Sequence, residues 1–221
     1  MPRRADTIPM TAAPLVPEHA TLEELRTAAA SCQACDLWKS GTQTVFGAGA
    51  PQTQIMLVGE QPGDREDVVG QPFVGPAGQL LDQVLEKVGI DRQSIYVTNV
   101  VKHFKWIPKG KRRFHQTPNV QEITACRPWL DSEISLLKPR VVVCLGATAA
   151  QALLGKQFRV TRQRGEFVAS PLAPFVIATL HPAAILRMPD DTARDTALHQ
   201  FLGDLQKVAD LLTPTEKVSC P

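Results

Sequence analysis

Four stretches of this sequence carry side chains able to do chemistry. Gly59-Glu60-Gln61-Pro62-Gly63-Asp64 sets two carboxylates and an amide among glycines, which let a ligand approach the backbone. It is either a polar loop that orients a base or a water, or a strand-ending turn with solvated acids. Its glycine spacing fits no dinucleotide fingerprint, and no GK[ST] marks a P-loop. Cys32-x-x-Cys35, with Cys126 far downstream, suits zinc, an iron–sulfur cluster or a redox pair. Three cysteines leave a four-coordinate site one ligand short. Cys144 sits inside the apolar run VVVCLG and reads as core, and Cys220 lies beside the C-terminus. His103 is the remaining candidate, against the alternative of a solvent-facing loop histidine.

The third stretch runs from Lys102 to His115 and holds Lys102, Lys105, Lys109, Lys111, Arg112 and Arg113, interleaved with Phe104, Trp106 and Phe114. No acid occurs between Asn99 and Gln121. Cations and aromatics mixed in this way fit a loop that binds phosphates and stacks bases; the plainer alternative is a solvated face. The fourth is His181-Pro182-Ala183-Ala184-Ile185-Leu186-Arg187. Ile185 and Leu186 are either wedges that open a base stack, with Arg187 on a phosphate, or the first core residues of the next helix.

These stretches need a scaffold, and the periodicity supplies one. QIMLVG (54–59), SIYVTNVV (94–101), RVVVCLG (140–146) and FVIATL (175–180) read as buried strands, with 166–169 as a possible edge strand. Helices are expected from the capping box at Thr21 to about Cys32, over 76–88, 120–137 and 147–154, and over 191–212. Loops are expected over 60–75, 102–118 and 181–188. Strands alternating with helices make a mostly parallel four-stranded sheet covered on both faces, a three-layer α/β/α sandwich. In such sheets ligands bind beyond the carboxyl ends of the strands, where GEQPGD, TNVVKHFK, GATAA and HPAAILR all fall.

The chain has 221 residues, 21% of them charged, and a formal net charge of +2. That suits one globular domain over 21–213, between a Pro- and Ala-rich mobile leader (1–20) and a tail (214–221). No run is long and apolar enough for a membrane span or an export signal, so a cytoplasmic protein is expected, and nothing argues against a monomer. Cysteines in a reducing compartment are ligands or core residues rather than disulfides.

Taken in order, GEQPGD, PFVGPAG, YVTNVVKHFK, ACRPWL, VVVCLGATAA and HPAAILR resemble the family 4 uracil-DNA glycosylases, over about 21–212. The resemblance implies a three-layer uracil glycosylase fold, a [4Fe–4S] cluster and action on uracil-containing DNA, single- or double-stranded. Three features depart from the usual pattern: Gln61 for an alanine, His103 for a cysteine, and the extension KGKRRFH. All three are similar to the UdgX-type branch, which bonds covalently to DNA through the histidine of a KRRIH-like loop. That resemblance makes His115 the nucleophile and Cys32, Cys35, His103 and Cys126 the cluster ligands.

On this reading the target nucleotide flips into a pocket. Phe73 stacks on the base, Asn99 reads N3–H and O4, and His181 donates to O2 as negative charge gathers there. Glu60 or Asp64 stabilises the sugar cation, and Gln61 either contacts uracil or positions the loop. His115 then attacks C1′, its ring kept neutral by the cations Lys111, Arg112 and Arg113. Lys109, Lys111, Arg112, Arg113 and Arg187 hold the DNA. The rivals are a multiple-turnover glycosylase with His115 as a DNA contact, and a non-catalytic sensor that binds without releasing the base.

Overall fold

The computed structural model describes residues 11–110 and 112–212. The expectations for residues 1–10, for Lys111 and for the tail with Cys220 lie outside the described residues.

Alternating apolar runs build a six-stranded sheet in the order β1-β3-β2-β6-β8-β7. Its centre is the expected parallel set: β2 (Ile55–Gly59), β3 (Tyr96–Asn99), β6 (Val141–Leu145) and β8 (Phe175–Thr179). The expected four strands become six because two-residue strands pair antiparallel at the edges: β1 (Ala48–Gly49) on β3, and β7 (Phe167–Val168), inside the edge strand expected over 166–169, on β8. The core strands are buried on both faces, which explains why they read as continuous apolar runs.

Side chains divide by strand parity. Ile55, Leu57, Val97, Val143 and Ile177 face one layer with α3 (Pro76–Lys87) and α8 (Asp191–Leu212). Met56, Val58, Tyr96, Val142, Cys144 and Val176 face the other, with α4 (Val120–Leu137) and α5 (Gly146–Leu154). A third cluster lies under α1 (Leu22–Ala29), where Leu25 and Ala29 meet Trp129 of α4. The Thr21 capping box forms as the sequence indicates, and a second one, Asn119 with Glu122, starts α4.

Part of the expected leader packs against the folded chain. Ala12 is fully buried in the α1–α4 cluster and donates its N–H to the Ala125 carbonyl at 2.8 Å. Its small side chain fits there, and the hydrogen bond fixes the chain before the first helix begins.

Three expected loops contain structure. Residues 60–75 include α2 (Asp64–Val69), and 181–188 include α7 (Pro182–Leu186). The basic segment contains a β-hairpin, β4 (Trp106–Lys109) with β5 (Arg112–His115), reversing at Gly110 with φ +61°. Strand pairing sets Trp106 opposite His115 and Ile107 opposite Phe114. A short helix, α6 (Val160–Gln163), follows α5.

Candidate active site and sulfur-lined site

The carboxyl ends of β2, β3, β6 and β8 open into a cavity of about 410 Å³. Its walls bring together Glu60, Gln61, Phe73 and Asn99 with His115, His181 and Arg187, residues drawn from five separate segments. Asn99 ends β3 beside Gly59 at the end of β2. A Cβ at position 59 would lie 2.4 Å from Asn99 Oδ1 and 2.7 Å from the Phe73 ring, so only glycine lets the amide and the ring face the cavity. Asn99 Oδ1 is the buried side-chain polar atom without a hydrogen-bond partner among the described residues. A buried acceptor left empty costs roughly 1–3 kcal/mol, and a ligand N–H removes that cost. Phe73 adopts φ +57°, a strained conformation for an aromatic residue, and stacks on His181 with ring centroids 6.2 Å apart.

His181 caps α7, its Nδ1 accepting the Ala183 N–H at 3.1 Å. The proton of the neutral ring therefore sits on Nε2. Burial pushes its pKa down to about 4, against the opposing pull of Glu60, so the ring is neutral near pH 7. The cavity thus holds a neutral N–H donor that needs no proton uptake to act.

Glu60 links three elements. Its Oε1 lies 3.1 Å from His115 Nε2, and its Oε2 accepts the Thr148 hydroxyl from α5. Burial works to raise the Glu60 pKa, but the hydrogen bonds from His115 and Thr148 outweigh it and hold it below the ordinary carboxylate value. A carboxylate only accepts, so His115 Nε2 carries the proton of that contact. Thr148, a residue the sequence reading missed, holds this carboxylate; the threonine after GA in VVVCLGATAA was its only signal.

The hairpin corrects several expectations. Arg113 does not face outward: its Nε lies 2.5 Å from Asp64 Oδ1, its Nη1 2.5 Å from Asp67 Oδ2, and its guanidinium lies over Phe104 and Trp106. Asp67, which the sequence reading overlooked, is fully buried and also accepts the Thr42 N–H and hydroxyl. Asp64 is therefore an outer anchor for Arg113 and does not line the cavity. Lys102 is buried against Glu133 at 2.5 Å, and Lys105 pairs with Glu122 at 2.9 Å. Of the described cations in the run, Lys109 and Arg112 remain exposed. His115 thus meets the Glu60 carboxylate rather than a crowd of free positive charge.

Gln61 lines the cavity and makes the loop contacts that were one of its two expected roles. Its Nε2 donates to the carbonyls of Lys105 (3.2 Å) and Gln116 (3.1 Å), and its Oε1 accepts the Lys105 N–H (3.1 Å). The whole amide clamps the neck of the hairpin. Between the two apolar residues of HPAAILR the structure decides: Ile185 is core, whereas Leu186 is exposed beside the Arg187 rim. Glu66, also missed, lines the cavity and accepts the Gly75 N–H at 2.8 Å, tying the GEQPGD segment to the Phe73 loop.

A second site lies under α1. Cys32 and Cys126 are buried and Cys35 is half-buried, three thiols close enough to act on one another electrostatically. Each sulfur has one N–H: Trp129 Nε1 on Cys32 (3.3 Å), Lys102 N on Cys126 (3.3 Å), and Leu37 N on Cys35. Burial pushes the Cys126 thiol up to about 12, partly opposed by Lys102. No three His, Cys, Asp or Glu among the described residues close around a single ion; a multi-iron cluster takes its thiolates at separate corners. N–H donors aimed at sulfurs are what ligating thiolates require, so the residues fit such a group. His103 is buried, not solvent-facing. The Thr44 hydroxyl donates to the Ala29 carbonyl (2.9 Å), so His103 Nε2, 2.9 Å from Thr44 Oγ1, is the donor and Nδ1 keeps its lone pair. Cys144 is fully buried in β6.

Residues 46–206 match the model of the Uracil DNA glycosylase superfamily, to which the chain belongs. It is 38% identical to the Type-4 uracil-DNA glycosylase of Sulfurisphaera tokodaii, over 77% of this chain and 78% of that protein. It is 36% identical to that of Pyrobaculum aerophilum (86% and 97%) and 39% to that of Thermotoga maritima (77% and 85%). The enzyme is a uracil-DNA glycosylase with type-4 relatives. No helix among the described residues is long and apolar enough to cross a membrane.

Proposed function

We propose that this glycosylase releases uracil from DNA and is then captured by it, through a bond between His115 and the deoxyribose C1′. The observation that carries base recognition is the empty acceptor Asn99 Oδ1, buried beside Gly59 and Phe73. Uracil offers N3–H where cytosine has an unprotonated nitrogen, so an empty acceptor selects uracil. Phe73 takes the base face, and His181 Nε2–H faces O2.

The C1′–N1 bond breaks with its electron pair leaving on uracil. The neutral His181 donor stabilises that anion, and the ionised Glu60 carboxylate stabilises the sugar cation. A ring lone pair of His115 then forms the N–C1′ bond. The alkylated ring is cationic, and its remaining N–H is shared with Glu60, which offsets the charge. Support for capture is the position of His115 on the cavity wall, on a strand braced by Arg113 and Gln61. An alkylated imidazole is a poor leaving group, so one turnover results.

Cys32, Cys35 and Cys126, with His103 Nδ1 as the fourth ligand, would hold a [4Fe–4S] cluster. Such a group would supply a structural cross-link among α1, β3 and α4 rather than electrons for the reaction. Lys109, Arg112 and Arg187 contact DNA phosphates, and a cytoplasmic monomer suffices for these roles. The test is denaturing electrophoresis after mixing the protein with uracil-containing single-stranded DNA. A shifted band that His115→Ala abolishes supports capture. Many turnovers without a band favour the ordinary glycosylase, and binding without base release favours the sensor.

A further inference from the structure

Residues 134–165 contain no Asp or Glu and six cations: Lys138, Arg140, Lys156, Arg159, Arg162 and Arg164. The sheet divides them. Lys138 and Arg140 precede β6, at its amino end, whereas the other four follow α5, in the segment whose Val160 and Thr161 line the cavity. Arg164 is held internally, its Nη1 2.5 Å from Asp204 Oδ2. Lys156, Arg159 and Arg162 are exposed, and none of them pairs with a carboxylate among the described residues. Arg159 Nη1 donates to the carbonyls of Lys156 (2.8 Å) and Phe158 (3.2 Å), which fixes that guanidinium against the backbone.

Between Arg159 and Arg162, Val160 and Thr161 line the cavity itself. The cations therefore flank residues that form its wall. The hairpin extends from β3, at one end of the parallel strand order, whereas α6 packs against α5 and β8, toward the other end. The cavity opens between these two basic elements.

We propose that Lys156, Arg159 and Arg162 form a second phosphate-binding bank. A strand that delivers its uracil to the cavity is then gripped on both sides of the flipped nucleotide, by Lys109 and Arg112 on one side and by this bank on the other. The proposal rests on the reading of the cavity as a uracil site in DNA. Its physical basis is that unpaired cations bordering a cavity release condensed counterions when a backbone crosses them, whereas cations paired to carboxylates do not.

The test compares Arg159→Gln/Arg162→Gln with Lys138→Gln/Arg140→Gln, which removes two charges at the opposite end of the sheet. Binding of a uracil-free single-stranded oligonucleotide is measured as a function of salt, and uracil release at saturating substrate is measured alongside. Two lost phosphate contacts reduce the slope of log K against log salt by about 1.4. The expected result is that reduction for the α6 variant, with wild-type release at saturation, and no change for the comparison variant. A wild-type slope in the α6 variant, or an equal loss in the comparison variant, overturns the proposal. Slopes as expected in a protein that releases no uracil would count for the bank and against the reading of the cavity.

Discussion

His115 Nε2 stands 3.1 Å from Glu60 Oε1, joining the last residue of the hairpin to the first residue after β2. The pair places an imidazole and a carboxylate on one wall of the cavity. Glu60→Gln should therefore damage two steps at once, since an amide neither stabilises the sugar cation nor offsets the charge of the alkylated ring. Uracil release is expected to fall by 10²-fold or more, on the order of the loss of one preorganised electrostatic group. His115→Ala should retain release and lose the adduct. Single-turnover release and adduct yield, measured together, check both, and adduct formation by His115→Ala would remove this histidine from the chemistry.

Arg113→Gln tests the hairpin anchor. It leaves the buried Asp67 carboxylate without its cation, at a cost of about 3 kcal/mol. Adduct yield should fall while uracil release survives, because His115 loses its support and the base-binding residues do not. Thermal melting together with adduct yield reads this outcome. Equal loss of both activities would mean that the anchor serves the whole cavity.

Acid should act through His181. Its pKa is lowered from 6.5 to about 4, so the unfolded chain takes up the proton first. Its contribution to stability is complete above about 6.5 and is lost as pH falls from there toward 4. In the folded enzyme the ring stays neutral down to about pH 4, so the donor role proposed for it should persist at pH 5. Titration of the His181 ring by NMR checks this directly, and protonation near 6.5 would contradict the burial seen here.

Lys102 and Glu133 form a fully buried pair beneath Asn99. Lys102 Nζ donates to the Thr98 hydroxyl (2.6 Å) and to the Asn99 carbonyl (2.9 Å), and Glu133 accepts the Tyr96 hydroxyl (2.8 Å). Lys102→Met should destabilise the protein by about 3–5 kcal/mol, since it strands a buried carboxylate. Lys102→Met/Glu133→Leu should recover part of that loss. Denaturant midpoints decide it, and a double variant less stable than the single one would refute the stranded-charge account.

Much of the fold was legible because its signals are local. Apolar runs mark the parallel strands, and 120–137 and 191–212 are helical over the spans the periodicity indicates. Of the two edge strands, β7 falls inside the expected 166–169, whereas β1 escaped notice because a two-residue strand carries no periodicity of its own. The hairpin escaped because its alternation is masked by charge, although Gly110 marked its turn.

The sequence by itself determined which segments end at the cavity: Glu60 and His181 follow recognisable strands, and Asn99 lies in a third. Only the tertiary structure decided what each charge and amide meets. Lys102, Lys105 and Arg113 look like free cations in the sequence, yet their carboxylates lie 31, 17 and 46–49 residues away. Gln61 reads in the sequence as either a uracil contact or a loop-positioning residue, and its partners, 44 and 55 residues on, are at the neck of the hairpin. The reason is physical: apolar burial follows a repeat along the chain, whereas a buried polar group is satisfied by whichever partner the packing brings to it.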